Sequence, residues 1–86
     1  MYPTPAQLRA ARALLNLTQD DVARRAGLSS RTVISAEQGK TGKATLGSLM
    51  AAYMELGLRF DGTPDGNKLT VTYDAASVYS AEPVKP

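Results

Sequence analysis

Two short helical stretches joined by only three residues constrain this chain more than any other feature. Thr18 can cap a helix, and Asp20 and Asp21 suit the positive charge at its N-terminal end. Val22, Ala23 and Ala26 form its apolar face, and Gly27 can take the left-handed conformation that stops it. Leu28 then reads as a buried plug, and Ser29 as the cap of a further helix from about Ser30 to Gln38, with Gly39 as its stop. The turn between them is Gly27-Leu28-Ser29. Two helices joined so tightly cannot lie side by side and must cross steeply, in the geometry of a helix-turn-helix corner.

Other elements fall into place around that corner. Thr4-Pro5-Ala6-Gln7 is a helix start: Thr4 caps, Pro5 takes the first helical position and Gln7 completes a capping box. Good helix formers continue to Leu15, with Leu8, Ala11, Arg12 and Leu15 on one face. After the polar loop Lys40–Ala44, Thr45 is the expected cap of a fourth helix, with Leu46, Leu49, Met50, Tyr53 and Leu56 inward and Gly57 at its end. Beyond Gly57 the period changes to two. Leu58 and Phe60 alternate with Arg59 and Asp61, and Leu69, Val71 and Tyr73 alternate with polar residues. The turn formers Gly62–Asn67 lie between. The expected fold is mainly α: a four-helix helix-turn-helix domain over residues 4–57, then a C-terminal β-hairpin or strand pair over 58–74. A flexible tail is expected over 75–86.

Composition removes most other classes. At 86 residues the chain has room for one domain with a small core. It has no Cys and no His, which excludes a disulfide scaffold, a Cys-ligated metal and the commonest general base. Asp20-Asp21 is no catalytic pair, because adjacent helix residues diverge by about 100°. There is no glycine-rich phosphate loop and no nucleophile–base set, so neither an enzyme nor a cofactor or metal is expected. The start Met1-Tyr2-Pro3-Thr4-Pro5 carries no secretory pattern, and no apolar run approaches membrane-spanning length. A cytoplasmic location is the expectation. Residues 1–60 carry eight basic against four acidic residues, whereas residues 61–86 carry two against four. The basic body suits a polyanion partner.

Leu17-Thr18-Gln19-Asp20-Asp21-Val22-Ala23-Arg24-Arg25-Ala26-Gly27-Leu28-Ser29, continued by Arg31-Thr32-Val33 and Glu37-Gln38-Gly39-Lys40, resembles the lambda-repressor-like (phage repressor/Cro, XRE-type) helix-turn-helix family. The resemblance runs from Leu8 to Leu56 and implies DNA binding. Two departures stand out. Strands replace the fifth helix common in the family, and Ala36 stands where a larger apolar residue is usual.

Arg12 on the apolar stripe of the first helix and Glu37 on that of the third are each anomalous alone. A carboxylate in the last turn of a helix also opposes the macrodipole. Together they predict a partly buried ion pair, which the resemblance supports. The alternative is that Arg12 snorkels to water and Glu37 stays exposed. On the outward face of the third helix, Ser30, Arg31, Ile34 and Ser35 are the candidate base readers, with Gln38 further along the same stripe. Arg31 has the geometry to donate twice to guanine, and Ile34 would find cover on a thymine methyl or a protein neighbour. Gln19, Thr32, Lys40, Thr41 and Lys43 are the candidate phosphate contacts, against a solvated loop as the plainer reading of the lysines.

The resemblance implies a transcriptional regulator, most simply a dimeric repressor on an inverted repeat of double-stranded DNA. Leu58, Phe60, Leu69, Val71 and Tyr73 are the candidate dimer interface, because a lone hairpin is barely stable in water. The alternative is a hairpin packed on its own helices. Two rival functions remain at this point. One is an antitoxin that binds both its operator and a toxin through the acidic tail. The other is an interaction module without DNA binding, whose partner would be a protein such as a toxin or an antiactivator.

Overall fold

The computed structural model of the chain describes residues 2–77. Among them four helices precede a two-stranded antiparallel sheet, in the order α1 (Pro5–Leu15), α2 (Gln19–Ala26), α3 (Ser30–Glu37), α4 (Lys43–Glu55), β1 (Leu58–Gly62) and β2 (Leu69–Tyr73). The mainly α architecture with a terminal strand pair is as the sequence predicts.

Local chemistry sets the first three helices. Thr4 with Gln7 and Thr18 with Asp21 form reciprocal capping boxes, and the Ser29 hydroxyl accepts the Thr32 N–H. All three end alike. Asn16, Gly27 and Gly39 take left-handed φ values of 54°, 70° and 78°. The next N–H then bonds back to the carbonyl five residues earlier: Leu17 to Arg12, Leu28 to Ala23 and Lys40 to Ser35, at 3.0, 2.9 and 2.9 Å. This is the Schellman closure, which satisfies carbonyls a helix end would otherwise leave bare.

The fourth helix departs from expectation. It starts at Lys43 with Gly42 as the extended cap residue and no side-chain cap, so Thr45 lies within its first turn. Thr4 and Thr18 each have an amide or acid three residues on, whereas Thr45 has Ser48, whose hydroxyl bonds back to the Ala44 carbonyl at 3.2 Å. With no reciprocal partner for Thr45, the good helix formers Lys43 and Ala44 extend the helix backwards.

Leu8, Ala11, Val22, Val33, Ala36, Leu49 and Tyr53 meet in one core, closed from above by Leu58 and Phe60. Tyr53 and Phe60 stack edge to face at 5.8 Å. Ala36 is fully buried, so close approach of neighbouring elements replaces a bulkier side chain there. Leu46 and Met50 on α4 and Leu56 at its C-cap are half-buried, and Ala52 joins Leu49 and Tyr53 inside. The hairpin pairs Leu58 with Tyr73, Phe60 with Val71 and Gly62 with Leu69. Gln7 ties it down. Its amide nitrogen donates to the carbonyls of Asp61 and Thr70, both at 2.9 Å, while its oxygen accepts the Thr4 N–H.

The hairpin therefore packs on its own helices, which corrects the expected interface. Leu58 and Phe60 are buried within the chain and present nothing to a second copy, whereas Leu69 and Tyr73 are exposed and Val71 is half-buried. Of the expected tail, Ala75–Ser77 form a single 3-10 turn in which Asp74 accepts the Ala76 N–H at 2.9 Å. Residues 78–86 lie outside the described residues.

Candidate nucleic-acid interface

Val33, Ala36 and Glu37 hold the inner face of α3 against the rest of the domain. Arg31, Ile34 and Gln38 therefore face solvent. Among the described residues no carboxylate pairs with Arg31, in contrast with Arg12, Arg24 and Arg59. Ile34 is 38% exposed beside it.

Other predicted readers are more constrained. The Ser30 hydroxyl donates to Asp20 across the corner, which ties the start of α3 to the start of α2. Ser35 is half-buried. The Thr32 hydroxyl lies 2.8 Å from that of Ser29. Thr41 departs from its expected role, because its hydroxyl oxygen is buried, without a partner among the described residues, and does not reach the outer surface of the loop. Lys40 and Lys43 are exposed, and the N–H groups at the start of α4 have no side-chain cap.

Behind the face lies a polar cluster centred on Glu37, which is 5% exposed. Arg12 grips its carboxylate twice, Nε to Oε2 at 2.7 Å and Nη2 to Oε1 at 3.0 Å. The Gln19 amide donates to Oε1 at 3.1 Å. Arg9 Nη1 donates to the Glu37 main-chain carbonyl at 2.6 Å, setting a cation on the negative end of α3. Two guanidiniums thus offset the unfavourable placement of a carboxylate there. The hydrogen bond it donates to Glu37 holds the Arg12 guanidinium even more firmly protonated than usual. Burial, reinforced by the Glu37 charge, pushes the Tyr53 phenol far above its ordinary range, so it stays neutral. The cluster locks α1, α2 and α3 together, which fixes how far Arg31 projects. Arg9 and Gln7 carry long-range roles that their helix-forming and capping signals did not reveal.

A tight corner, a rigid second helix and an unpaired guanidinium on its open face form the arrangement that enters a DNA major groove. The sequence matches the helix-turn-helix family over residues 8–53, from the first core leucine to Tyr53. The chain belongs to the lambda-repressor (XRE) type of helix-turn-helix proteins. No curated protein matches it at a significant level. As a member of that family it is a DNA-binding transcription regulator, and the family is not enzymatic. In the helix-turn-helix motif of that family, α3 occupies the position of the recognition helix and α2 that of the helix before it. The family match ends at Tyr53, so the hairpin lies outside the matched residues. Among the described residues no helix is long and apolar enough to cross a membrane.

Proposed function

We propose that the protein is a cytoplasmic, dimeric repressor that reads an inverted repeat by placing α3 of each copy in the major groove. The observation that carries this reading is Arg31, a cation without a carboxylate partner among the described residues, on the open face of a helix whose other face is locked in the core. It donates to guanine, and Ile34 lies against a thymine methyl beside it. Ser35 borders the same edge. Ser30 contributes through its position at the helix start, its hydroxyl already serving Asp20.

Phosphates flank the reader. Lys40 and Lys43 approach one strand, together with the uncapped N–H groups of α4. Gln19 uses one amide hydrogen on Glu37 and has a second for a phosphate, with Thr32 nearby. One such helix reads too few base pairs for selectivity, and two copies about 34 Å apart supply the rest.

Footprinting the purified protein on the DNA upstream of its own coding sequence tests the reading. A protected site with two related halves is the expected result. Arg31→Ala should then relax sequence preference, a cost of about 1–3 kcal/mol in discrimination. Lys40→Ala should weaken binding to every sequence alike and lower the salt dependence by about one ion. An unchanged preference in Arg31→Ala overturns the assignment of Arg31.

A further inference from the structure

An exposed carboxylate touches the reading edge. Asp20 lies in the first turn of α2, but the reciprocal cap with Thr18 is made by Asp21. Asp21 also pairs with Arg24, whereas Asp20 has no ion-pair partner among the described residues. Its side chain accepts the Ser30 hydroxyl instead, at the surface of the corner. Ser30 is the first residue of α3 and stands next to Arg31. The positive end of α2 favours a carboxylate at Asp20, but that preference does not call for a bond to the other helix. Facing a polyanion, the same charge is a liability unless the contact with Ser30 has a use there.

The contact decides what Ser30 can offer a base. A free serine hydroxyl has one hydrogen to donate and two lone pairs with which to accept, so it pairs with any base. A carboxylate oxygen only accepts. The hydrogen on Ser30 Oγ is therefore committed to Asp20, and the remaining capacity of Oγ is to accept. Arg31 is the reverse, because a guanidinium carries donors alone. The first two residues of α3 thus have opposite, fixed polarities. Neighbouring helix residues diverge by about 100°, so their side chains reach different base edges. In the major groove adenine N6 and cytosine N4 donate, whereas guanine O6 and thymine O4 accept.

We propose that Asp20 and Ser30 form a polarity filter, which admits adenine or cytosine at the base facing Ser30 and rejects guanine or thymine. This rests on the reading of α3 as the helix that enters the groove, and it names the class of base read there. Ser30 Oγ accepts the exocyclic amine. Asp20 is a positioning residue that acts through Ser30. A guanine or thymine oxygen at the same place meets a second acceptor with a carboxylate behind it, and neither acceptor finds a hydrogen. Arg31 reads guanine at its own position, so each half-site joins an amine-bearing base to a guanine contact.

Selection of a random duplex library by the full chain tests the filter. The position belonging to Ser30 is the one whose preference changes in Ser30→Ala. There the unaltered protein should favour adenine or cytosine over guanine or thymine by about tenfold. Asp20→Ala frees the hydroxyl hydrogen and should bring the four bases level at that position, with the preference at the Arg31 position kept. Purine in place of adenine, or pyrimidin-2-one in place of cytosine, deletes the amine alone. That change should weaken binding of the unaltered protein by about tenfold and leave Ser30→Ala unaffected. The proposal is overturned if guanine or thymine is selected at that position, or if Ser30→Ala shifts no position. It is also overturned if Asp20→Ala raises affinity for every duplex by one factor and leaves all preferences intact, since Asp20 then acts as a charge alone. Failure of the DNA reading looks different: no sequence is enriched, or Arg31→Ala keeps the full preference, and the filter falls with it.

Discussion

Arg9, Arg12, Gln19 and Glu37 hold the site in place from behind. Arg12 and Glu37 form a bidentate pair with the carboxylate buried, and a pair of this kind stabilises little while intact but destabilises when broken. Glu37→Ala leaves Arg12 and Gln19 facing an apolar core, and the expected cost is about 3 kcal/mol, read as a lower midpoint in urea unfolding. Its effect on DNA should exceed that of any other change on the inner face of α3, because the angle at which Arg31 projects is set there. Gln7 has the corresponding role for the hairpin. Gln7→Leu keeps the volume but removes both donors from the Asp61 and Thr70 carbonyls, an expected loss of about 1–3 kcal/mol. Hydrogen exchange should show the loss concentrated in β2. Of these side chains the sequence pattern singles out Arg12 and Glu37, since each breaks an apolar stripe. Gln7 satisfies a capping box three residues away, and that local explanation conceals its contacts 54 and 63 residues further on.

At the scale of elements, the helix ends decide the geometry. Gly27 has φ of 70° and open space where a Cβ would stand, so Gly27→Ala meets no clash. Its cost is the left-handed backbone alone, about 1–2 kcal/mol, measurable as a fall in melting temperature with DNA specificity retained. The α2 cap carries a pH dependence. Asp21 accepts the Thr18 N–H, and that bond, ahead of the nearby Arg24 and Arg25, holds its carboxyl below the usual range. The group is easier to ionise in the folded chain than in the unfolded one. Its contribution is therefore complete above the ordinary carboxylate range near pH 4 and is lost as pH falls through the lowered folded value. Asp21→Asn should lower the melting temperature at neutral pH and flatten the acid limb, the two profiles converging at low pH. Three of the four helix starts were legible because Thr4, Thr18 and Ser29 cap over three residues. The start of α4 was not, because a glycine cap carries no side-chain signal and the conspicuous Thr45 lacks a reciprocal partner.

For the whole molecule, stability and assembly are linked. The proposed dimer would make the melting temperature rise with protein concentration, whereas a single chain's would stay constant. DNA carrying two half-sites should raise it further than DNA carrying one. The starts of the first three helices, the Gly27-Leu28-Ser29 corner, the strand pair and the outward run of Arg31 and Ile34 were all determined by the sequence alone, because capping, left-handed stops and side-chain periodicity act over three to five residues. Only the tertiary structure decided which alternating strand residues are covered, that the Thr41 hydroxyl is buried, and that Gln7 and Arg9 reach elements far along the chain. Those outcomes depend on which surfaces meet across the core, and Leu58 and Leu69 are indistinguishable in pattern until one of them finds α4 and the other finds water.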